Sequence, residues 1–192
     1  YRVFKQIDKH LLDQERIRRL AKEKGFTDGF DGIRLVTVGR LHYQKGYDIA
    51  IEACARLREM GYDLRWNILG EGPERPSLEK LIAQHGMQEH FILMGAVDNP
   101  YPYISEATLY VHATRFEGKS IAIEEAQVLG KTIVASDCTG NTEQITHGVD
   151  GLLLTLNAEN LTETLKYALD HPEICRELRQ NVMKKQLDHP ED

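Results

Sequence analysis

The chain has 192 residues, of which 41% are hydrophobic and 28% are charged, and its formal net charge is −6. This size and composition predict one soluble domain with its own core, and the acidic balance argues against a nucleic-acid-binding protein, which presents a basic surface. No apolar run is long enough to span a membrane, and no signal peptide opens the sequence.

The first 24 residues predict a linker and then a helix with a loose apolar stripe, formed by Leu11, Leu12, Ile17, Leu20 and Ala21. Basic residues surround this stripe, and a basic amphipathic helix can lie on anionic lipid. The interspersed acids favour the alternative, an ordinary solvated helix face. The sequence opens at Tyr1 without an initiator Met, so we expect the chain to be part of a longer protein.

A buried strand is predicted at Ile33–Val38, followed by a loop and a helix over residues 46–60. The loop contains Arg40 and Lys45. A guanidinium can grip a phosphate group through its planar fork, and an ammonium can bind it as a point charge. Loops of α/β proteins often carry such residues, so this segment alone is a weak signal for a phosphate site.

The middle of the chain predicts two further strands, Leu64–Leu69 and Phe91–Met94, with a helix between them that begins near Pro73. The lone G-x-G at Gly70 lacks the full spacing of a dinucleotide-binding motif. A short helix follows and ends near residue 107. Its Tyr103 could stack on a ligand, but packing in the core is the favoured interpretation.

A strand–loop–helix–strand unit is predicted over residues 109–135. The strand end Leu109–Val111 leads into a charged loop, and a helix then runs from about residue 121 until Gly130 caps it. The loop lies at the carboxyl end of a strand, where open α/β sheets bind ligands. His112 is interpreted as a satisfied core histidine, because no second ligand lies nearby at metal spacing.

Two acids in this unit, Glu117 and Glu125, are separated by seven residues. The helical rise predicts that their carboxylates lie on the order of 10 Å apart, which suits a ligand with a hydroxyl group at each end. The helix start at Gly118–Ser120 offers free backbone N–H groups to an anion. Two alternatives are a P-loop, for which Ala113 is the wrong residue, and two merely solvated acids.

The last third predicts a glycine-containing loop and short helix over residues 138–145, a strand at Gly151–Leu154, and helices over 159–170 and 172–187. The strand–helix alternation therefore predicts an α/β fold, a doubly wound, Rossmann-like parallel sheet of about six strands, over residues 31–192. Three widely spaced cysteines, Cys54, Cys138 and Cys175, predict reduced thiols in the cytoplasm and give no metal spacing.

Residues 117–126, Glu-Gly-Lys-Ser-Ile-Ala-Ile-Glu-Glu-Ala, resemble the E-x7-E region of retaining GT-B glycosyltransferases, in particular glycosyltransferase family 4. The chain departs from the family pattern with Lys119, where Phe is common, and with Thr132, where Pro is common. The Val-Gly-Arg-Leu segment at residues 38–41, with its following Lys-Gly, is similar to a second family segment. The Leu-Gly-Glu-Gly-Pro loop at residues 69–73 is similar to a third.

The resemblance implies the C-terminal half of a GT-B fold, with a site for a nucleotide-sugar donor. Arg40 and Lys45 would bind the pyrophosphate, Glu125 would accept hydrogen bonds from the ribose, and Glu117 would approach the donor sugar. Glu117, Arg40 and Lys45 are the expected catalytic residues. The Val97 loop would contact the base through its backbone, and the other expected donor-binding residues are Gly39, Gly70, Gly118, Lys119, Ser120 and Ile121.

The resemblance further implies retention of anomeric configuration without a divalent metal, and the sequence contains no D-x-D. No cofactor is expected; the substrate would be a nucleotide-sugar, with UDP favoured over GDP, used in polysaccharide, lipopolysaccharide or glycolipid synthesis. Residues 1–30 would lead in from a missing N-terminal domain that binds the acceptor, so the isolated domain would be inactive.

The expected location is the cytoplasm or the inner face of the plasma membrane, and any peripheral membrane contact would be made through the full-length protein. Two other functions stay open at this point. One is a nucleotide-sugar epimerase of the same architecture, for which the sequence offers no clear acid–base pair. The other is a non-catalytic nucleotide-binding module.

Overall fold

Six strands form one parallel sheet in the computed structural model, which describes residues 13–188. In chain order they are β1 (Ile33–Val38), β2 (Leu64–Leu69), β3 (Phe91–Gly95), β4 (Leu109–His112), β5 (Ile133–Ser136) and β6 (Leu152–Leu154). All four residues of β4 and of β5 are buried, as expected for strands covered on both faces.

Helices connect these strands. The described part of the first, α1, covers residues 13–20. The others are α2 (Tyr47–Glu59), α3 (Arg75–Gln84), α4 (Tyr101–Ser105), α5 (Ile121–Val128), α6 (Thr139–Gln144), α7 (Ala158–Asp170) and α8 (Pro172–Asp188), with a 3-10 turn at Tyr43–Lys45 before α2. Each strand and each helix predicted after residue 30 is present, with bounds that differ by at most two residues. In the predicted first helix, Leu11 and Leu12 lie outside the described residues.

The spatial order of the strands is β3-β2-β1-β4-β5-β6. On one side of β1 lie β2 and then β3. The chain then crosses to the other side of β1, where β4, β5 and β6 follow in order. This confirms the predicted doubly wound, Rossmann-like sheet. It also creates a crevice between the loops that follow β1 and β4, since these two strands are neighbours whose connections diverge.

The core lies on both faces of the sheet. One face packs against α2, α3 and α7 through fully buried residues such as Leu57, Trp66 and Leu165, and the other packs against α4 and α5 through Ile104 and Ile123. Helix α8 contacts both α5 and α7. Met60, at the end of the helical spacing of α2, is the exposed C-cap of this helix.

Gly130 ends α5 as predicted. Its φ is 67°, its N–H donates to the Gln127 carbonyl at 3.0 Å, and the next N–H, of Lys131, donates to the Ala126 carbonyl at 3.0 Å. These two bonds form a Schellman motif, which turns the chain directly from α5 into β5. Within residues 13–188, no helix combines the length and the apolarity that crossing a bilayer requires.

Candidate functional site

Two loops flank the point where the strand order reverses. One joins β1 to α2 (residues 39–46), and the other joins β4 to α5 (residues 113–120). The backbone N–H of Arg115 donates to the Gln44 carbonyl at 2.8 Å, and the Gln44 side chain donates to the Phe116 carbonyl at 3.0 Å. The two loops therefore form one continuous edge over the crevice in which open α/β sheets bind ligands.

Arg115 braces the second loop against the start of α2. Its guanidinium donates to both carboxylate oxygens of Asp48, at 2.9 and 2.7 Å, and to the Tyr43 carbonyl at 2.7 Å. The guanidinium carbon also lies 3.9 Å from the centre of the Tyr43 ring. A planar fork held at this many points fixes the path of the loop that carries the candidate acids.

The central charged cluster consists of Lys45, His112 and Glu117, and we call it the Glu117 cluster. Lys45 Nζ and His112 Nε2 both lie 2.9 Å from the same carboxylate oxygen, Glu117 Oε2. The side chains are 16%, 1% and 13% exposed, respectively. The structure thus brings together two of the three predicted catalytic residues, from loops 72 positions apart in the sequence.

The Glu117 cluster holds its carboxylate in the charged form. The hydrogen bond from His112, and then the bond and charge of Lys45, lower the pKa of Glu117 to about 2, although partial burial opposes them. Burial lowers the pKa of His112, so the imidazole is neutral at pH 7. The cluster therefore carries one negative and one positive charge, with a neutral histidine donating to the acid.

The cluster leaves binding capacity unused. Within the part of the chain that the structure describes, Glu117 Oε1 accepts no hydrogen bond, and Lys45 uses only one of its three N–H donors. Arg40, on the same loop as Lys45, is exposed and forms no ion pair or side-chain hydrogen bond with residues 13–188. An anion and a hydroxyl-bearing group could both be bound here without breaking the fold.

Glu125 is the second acid, one turn into α5, and it is half-buried. Burial raises the pKa of its carboxyl, while a hydrogen bond from the Tyr101 hydroxyl lowers it. Tyr101 belongs to α4, so two helices together position this carboxylate. Because Glu117 is largely buried and paired and Glu125 is half-buried, the alternative of two merely solvated acids is wrong.

Tyr110 interacts electrostatically with both acids. It is fully buried on β4, and its hydroxyl lies 3.3 Å from the Val38 N–H and 3.5 Å from the Val38 carbonyl. Burial, then the charges of Glu125 and Glu117, raise the pKa of this phenol. The Tyr110 hydroxyl is therefore within electrostatic range of both carboxylates.

A cavity of about 360 Å³ adjoins Glu125 and is enclosed by α1 and α5 together with Tyr101. From α1 it is lined by Arg16 and Ile17, and from α5 by Ile121 and Glu125. The α1 helix is held beside it by the Asn99 side chain, which donates to the Leu20 carbonyl at 2.9 Å. The leading segment of the chain therefore borders the second acid.

The start of α5 differs from the prediction at one residue. The Ser120 hydroxyl accepts a bond from the Ile123 N–H at 3.1 Å as the helix N-cap, and the Ser120 N–H donates to the Gln144 side chain at 2.8 Å. The predicted free N–H at residue 120 is therefore wrong, because α6 supplies it with a partner. The N–H groups of Lys119 and Ile121 have no hydrogen-bond acceptor among residues 13–188.

The P-loop alternative is also wrong. A P-loop folds around phosphate with backbone N–H groups and a lysine, and a carboxylate inside it would repel the ligand. Here Lys119 is exposed, and the Glu117 carboxylate lies inside the loop, paired with a lysine from the other loop.

Glycines allow the loops of this edge to approach one another. The Gly39 carbonyl accepts a bond from the Tyr47 hydroxyl at 2.9 Å, and the Lys45 side chain passes 3.2 Å from where a Cβ on Gly39 would lie. Gly70, with a φ of 158°, packs so closely on the Gly39 carbonyl that no side chain fits. The lack of a side chain at Gly39 leaves room for Lys45, and the lack of one at Gly70 leaves room for the Gly39 carbonyl. Val97 is half-buried beside α4.

Gly140 contacts the backbone of Glu117 and Gly118, and the sequence did not predict this contact. Its N–H donates to the Glu117 carbonyl at 3.1 Å, and a Cβ at this position would collide with the Gly118 carbonyl oxygen. Only the tertiary contact between α6 and the loop reveals this requirement.

Two aromatic interpretations have different outcomes. Tyr103 packs edge-on against Phe26, with ring centres 4.9 Å apart, which confirms its place in the core. His112 is buried as predicted, but it is not a satisfied core histidine, since its Nδ1 has no partner within the described residues and its Nε2 contacts Glu117. Tyr110 and His112 are two positions apart on a strand, so their side chains lie on the same face. This spacing was the signal available in the sequence.

The family model described as "Glycosyl transferases group 1" matches residues 18–185 of the chain. Alpha-D-kanosaminyltransferase of Streptomyces kanamyceticus is 31% identical over 148 residues, which cover 76% of this chain and 38% of that protein. N-acetylgalactosamine-N,N'-diacetylbacillosaminyl-diphospho-undecaprenol 4-alpha-N-acetylgalactosaminyltransferase of Campylobacter jejuni is 29% identical over 160 residues, covering 82% of this chain and 40% of that protein. The chain thus spans well under half the length of these relatives.

Among solved structures, Anabaena HepE in complex with UDP superposes with a TM-score of 0.74 at 20% sequence identity. The superposition covers 95% of this chain and 48% of HepE. At this identity the likeness shows a shared fold.

Proposed function

Because this chain belongs to the glycosyl transferases group 1 family, we propose that it is the donor-binding half of a retaining glycosyltransferase of family 4. The enzyme would transfer a hexose from a nucleotide diphosphate sugar. One observation carries the proposal: the Glu117 carboxylate is held on one oxygen by Lys45 and His112, and its other oxygen accepts no bond from residues 13–188. A pre-positioned anion with a spare acceptor, beside a cation with spare donors, suits a ligand that carries hydroxyl and phosphate groups.

Arg40 and Lys45 are proposed to bind the diphosphate. In the transfer, the bond between the anomeric carbon and the diphosphate oxygen breaks, and its electron pair stays on the leaving nucleotide. Two cations at that oxygen stabilise the developing charge more than they stabilise the bound substrate. The proposal includes no divalent metal, since the sequence carries no D-x-D.

The two acids are proposed to hold the two hydroxyl-bearing ends of the donor. Glu117 Oε1 accepts a hydrogen bond from the sugar, with the N–H groups of Gly118, Lys119 and Ile121 nearby. Glu125 accepts from the ribose. Ser120 contributes by capping α5 rather than through its own N–H.

UDP is the favoured nucleotide, with the backbone at Val97 contacting the base. The fold shared with a UDP-bound HepE supports this choice over GDP. A nucleotide-sugar epimerase and a non-catalytic binding module would also use a nucleotide site, but no contact described above favours either.

The other half of the enzyme is proposed to bind the acceptor. The chain covers only 38% and 40% of the two relatives described above, which leaves length for such a domain. Residues 1–30 would then link the halves, and the isolated chain would bind donor without transferring sugar. The Campylobacter relative is named for an undecaprenol-linked acceptor, which supports glycolipid, lipopolysaccharide or polysaccharide synthesis at the cytoplasmic face of the membrane.

Calorimetric titration of this chain with UDP, GDP and ADP tests the proposal. We expect UDP to bind, and Glu125→Ala to weaken that binding by about 1–3 kcal/mol, the cost of removing a charged hydrogen-bond partner. Glu143→Ala is the matched control, because it removes an exposed acid from the neighbouring α6 and is expected to change nothing. Absence of binding by all three nucleotides would refute the proposed donor site.

A further inference from the structure

The Glu117 cluster contains a residue to which the proposed function gives no role. We infer that His112 is a positioning residue, which anchors Glu117 by Oε2 so that Lys45 can turn to the donor diphosphate while Oε1 stays aimed at the sugar. The inference rests on the proposed function and adds a second, uncharged support for the carboxylate. It follows from the geometry of the cluster, since two donors meet on one oxygen at equal distances of 2.9 Å.

The hydrogen bond assigns the tautomer of the ring. An ionised carboxylate can only accept, so the 2.9 Å contact places the proton on His112 Nε2. The Nδ1 atom is then a bare lone pair, buried and without a partner among the described residues. A second proton would put an unpaired N–H into this buried position, which is costly, so the ring stays neutral when the site fills.

The two donors differ in what they can do when a ligand arrives. Lys45 has a flexible stem and two further N–H bonds, and it belongs to a loop. His112 is the last residue of β4, pairs in register with Ala135 of the neighbouring strand, and stacks on Tyr110 with ring centres 6.1 Å apart. The histidine is therefore fixed, while the lysine is able to reorient.

This difference matters when the diphosphate competes for Lys45. If the lysine alone held Glu117, its departure would leave a largely buried carboxylate without a partner. Either Lys45 would stay on the acid or Glu117 would rotate away from the sugar. With His112 present, one hydrogen bond to Oε2 persists, and the direction of Oε1 is preserved.

Three substitutions separate this role from simple packing. His112→Gln carries an amide nitrogen the same number of bonds from Cβ as Nε2, so it can still donate to Glu117. His112→Asn places its amide at the position of Nδ1, and His112→Leu keeps the bulk without a donor. His90→Leu is the matched control, because His90 is a half-buried histidine at the opposite end of the sheet, bonded to the Leu64 carbonyl at 3.0 Å.

The measurement is the ratio of dissociation constants for UDP and for a UDP-sugar, obtained by calorimetry with whichever of UDP-glucose, UDP-N-acetylglucosamine and UDP-N-acetylgalactosamine binds. We expect His112→Leu and His112→Asn to shift this ratio about tenfold against the UDP-sugar while the UDP constant changes less than threefold. His112→Gln and His90→Leu should keep the wild-type ratio. Thermal unfolding of each variant verifies that it is folded.

Two results would overturn the inference. One is a His112→Leu variant that binds UDP and retains the wild-type ratio. The other is a nitrogen NMR spectrum of the wild-type ring in which Nδ1, rather than Nε2, carries the proton, and this result needs no ligand. If the wild-type chain binds no UDP at all, the proposed function is refuted, and the inference that rests on it is refuted as well.

Discussion

Each end of the sheet holds a charged cluster, and the two clusters differ in how fully their hydrogen-bonding groups are used. At the amino end, Arg34 donates to Asp28 at 2.7 and 3.1 Å, to the Asn67 side chain at 3.1 Å and to the Phe30 carbonyl at 3.2 Å. Its guanidinium carbon also lies 3.7 Å from the centre of the Phe26 ring. We call this set the Arg34 cluster.

At the carboxyl end, the Glu117 cluster is more deeply buried but incompletely paired. One carboxylate oxygen and two lysine N–H bonds have no partner within the described residues, and Arg40 beside them is unpaired there as well. Burial of charge is common to both ends of the sheet. The unused donors and acceptors distinguish a binding site from a cluster that only stabilises the fold.

The largest expected effect is on the Arg34 cluster. Arg34 is 5% exposed, and Arg34→Leu leaves the buried Asn67 side-chain oxygen without this donor and removes the bonds to Asp28 and to the Phe30 carbonyl. Summed over these hydrogen bonds, we expect a loss of about 3–5 kcal/mol in the free energy of unfolding. Chemical denaturation measures this loss. Affinity of the folded protein for UDP should stay at the wild-type value, and a selective loss of UDP binding with normal stability would break the comparison.

The second-largest expected effect is a loss in the free energy of unfolding in acid, which arises from Glu117 at the carboxyl end of the sheet. The folded-state pKa of Glu117, about 2, lies below its ordinary value of 4.5, so this carboxylate stabilises the fold above pH 4.5 and loses that contribution as the pH falls toward 2. The difference corresponds to a free energy of unfolding on the order of 3 kcal/mol. Denaturation at a series of pH values should show the loss, and Glu117→Gln should flatten the curve in this window.

Asp28 provides the comparison within the same experiment. The Arg34 guanidinium holds the pKa of Asp28 well below its usual value of 3.8, so the contribution of Asp28 is lost from pH 3.8 downward and continues to be lost below pH 2, where that of Glu117 is exhausted. An Asp28→Asn variant should therefore keep the loss between pH 4.5 and 3.8 and flatten the curve below pH 2. If that variant flattens the curve between pH 4.5 and 3.8 as much as Glu117→Gln does, the assignment of this part of the curve to Glu117 is wrong.

The smallest expected effect is on the Glu117 cluster, where a substitution should weaken UDP binding more than it lowers stability. Lys45→Met removes a proposed diphosphate ligand, and we expect UDP binding to weaken by about 1.5–3 kcal/mol, the usual size for hydrogen bonds to charged groups. Stability should fall by less than in Arg34→Leu, because His112 still donates to Glu117 after the bond and charge of Lys45 are lost. Calorimetry and denaturation of the same sample test both parts, and Lys166→Met, an exposed lysine of α7, is the control.

Much of the fold could be predicted because its signals are local. Runs such as Ile33–Val38 and Leu64–Leu69 are mostly apolar over strand length, and Gly130 can adopt the positive φ that ends a helix. These preferences depend on residues a few positions apart, so they are readable without the rest of the chain.

Part of the site could also be predicted. Arg40, Lys45, Glu117 and Glu125 were assigned from motif resemblance and from their places after strands. The roles of His112 and Tyr110 were missed, although their alternation on β4 places them on one face. Whether a buried histidine is satisfied depends on where a loop five residues later returns, and no local pattern specifies that path.

The alternation of strands and helices, the strand–loop position of each charged residue and the family motifs can all be read along the chain, because each depends on short-range spacing. The pairing of Lys45 with Glu117 spans 72 positions, and the partner that Gln144 supplies to Ser120 spans 24. Such contacts arise when parallel strands bring their following loops to one edge of the sheet. The folded arrangement alone decides which donors are consumed by the protein and which are left for a ligand.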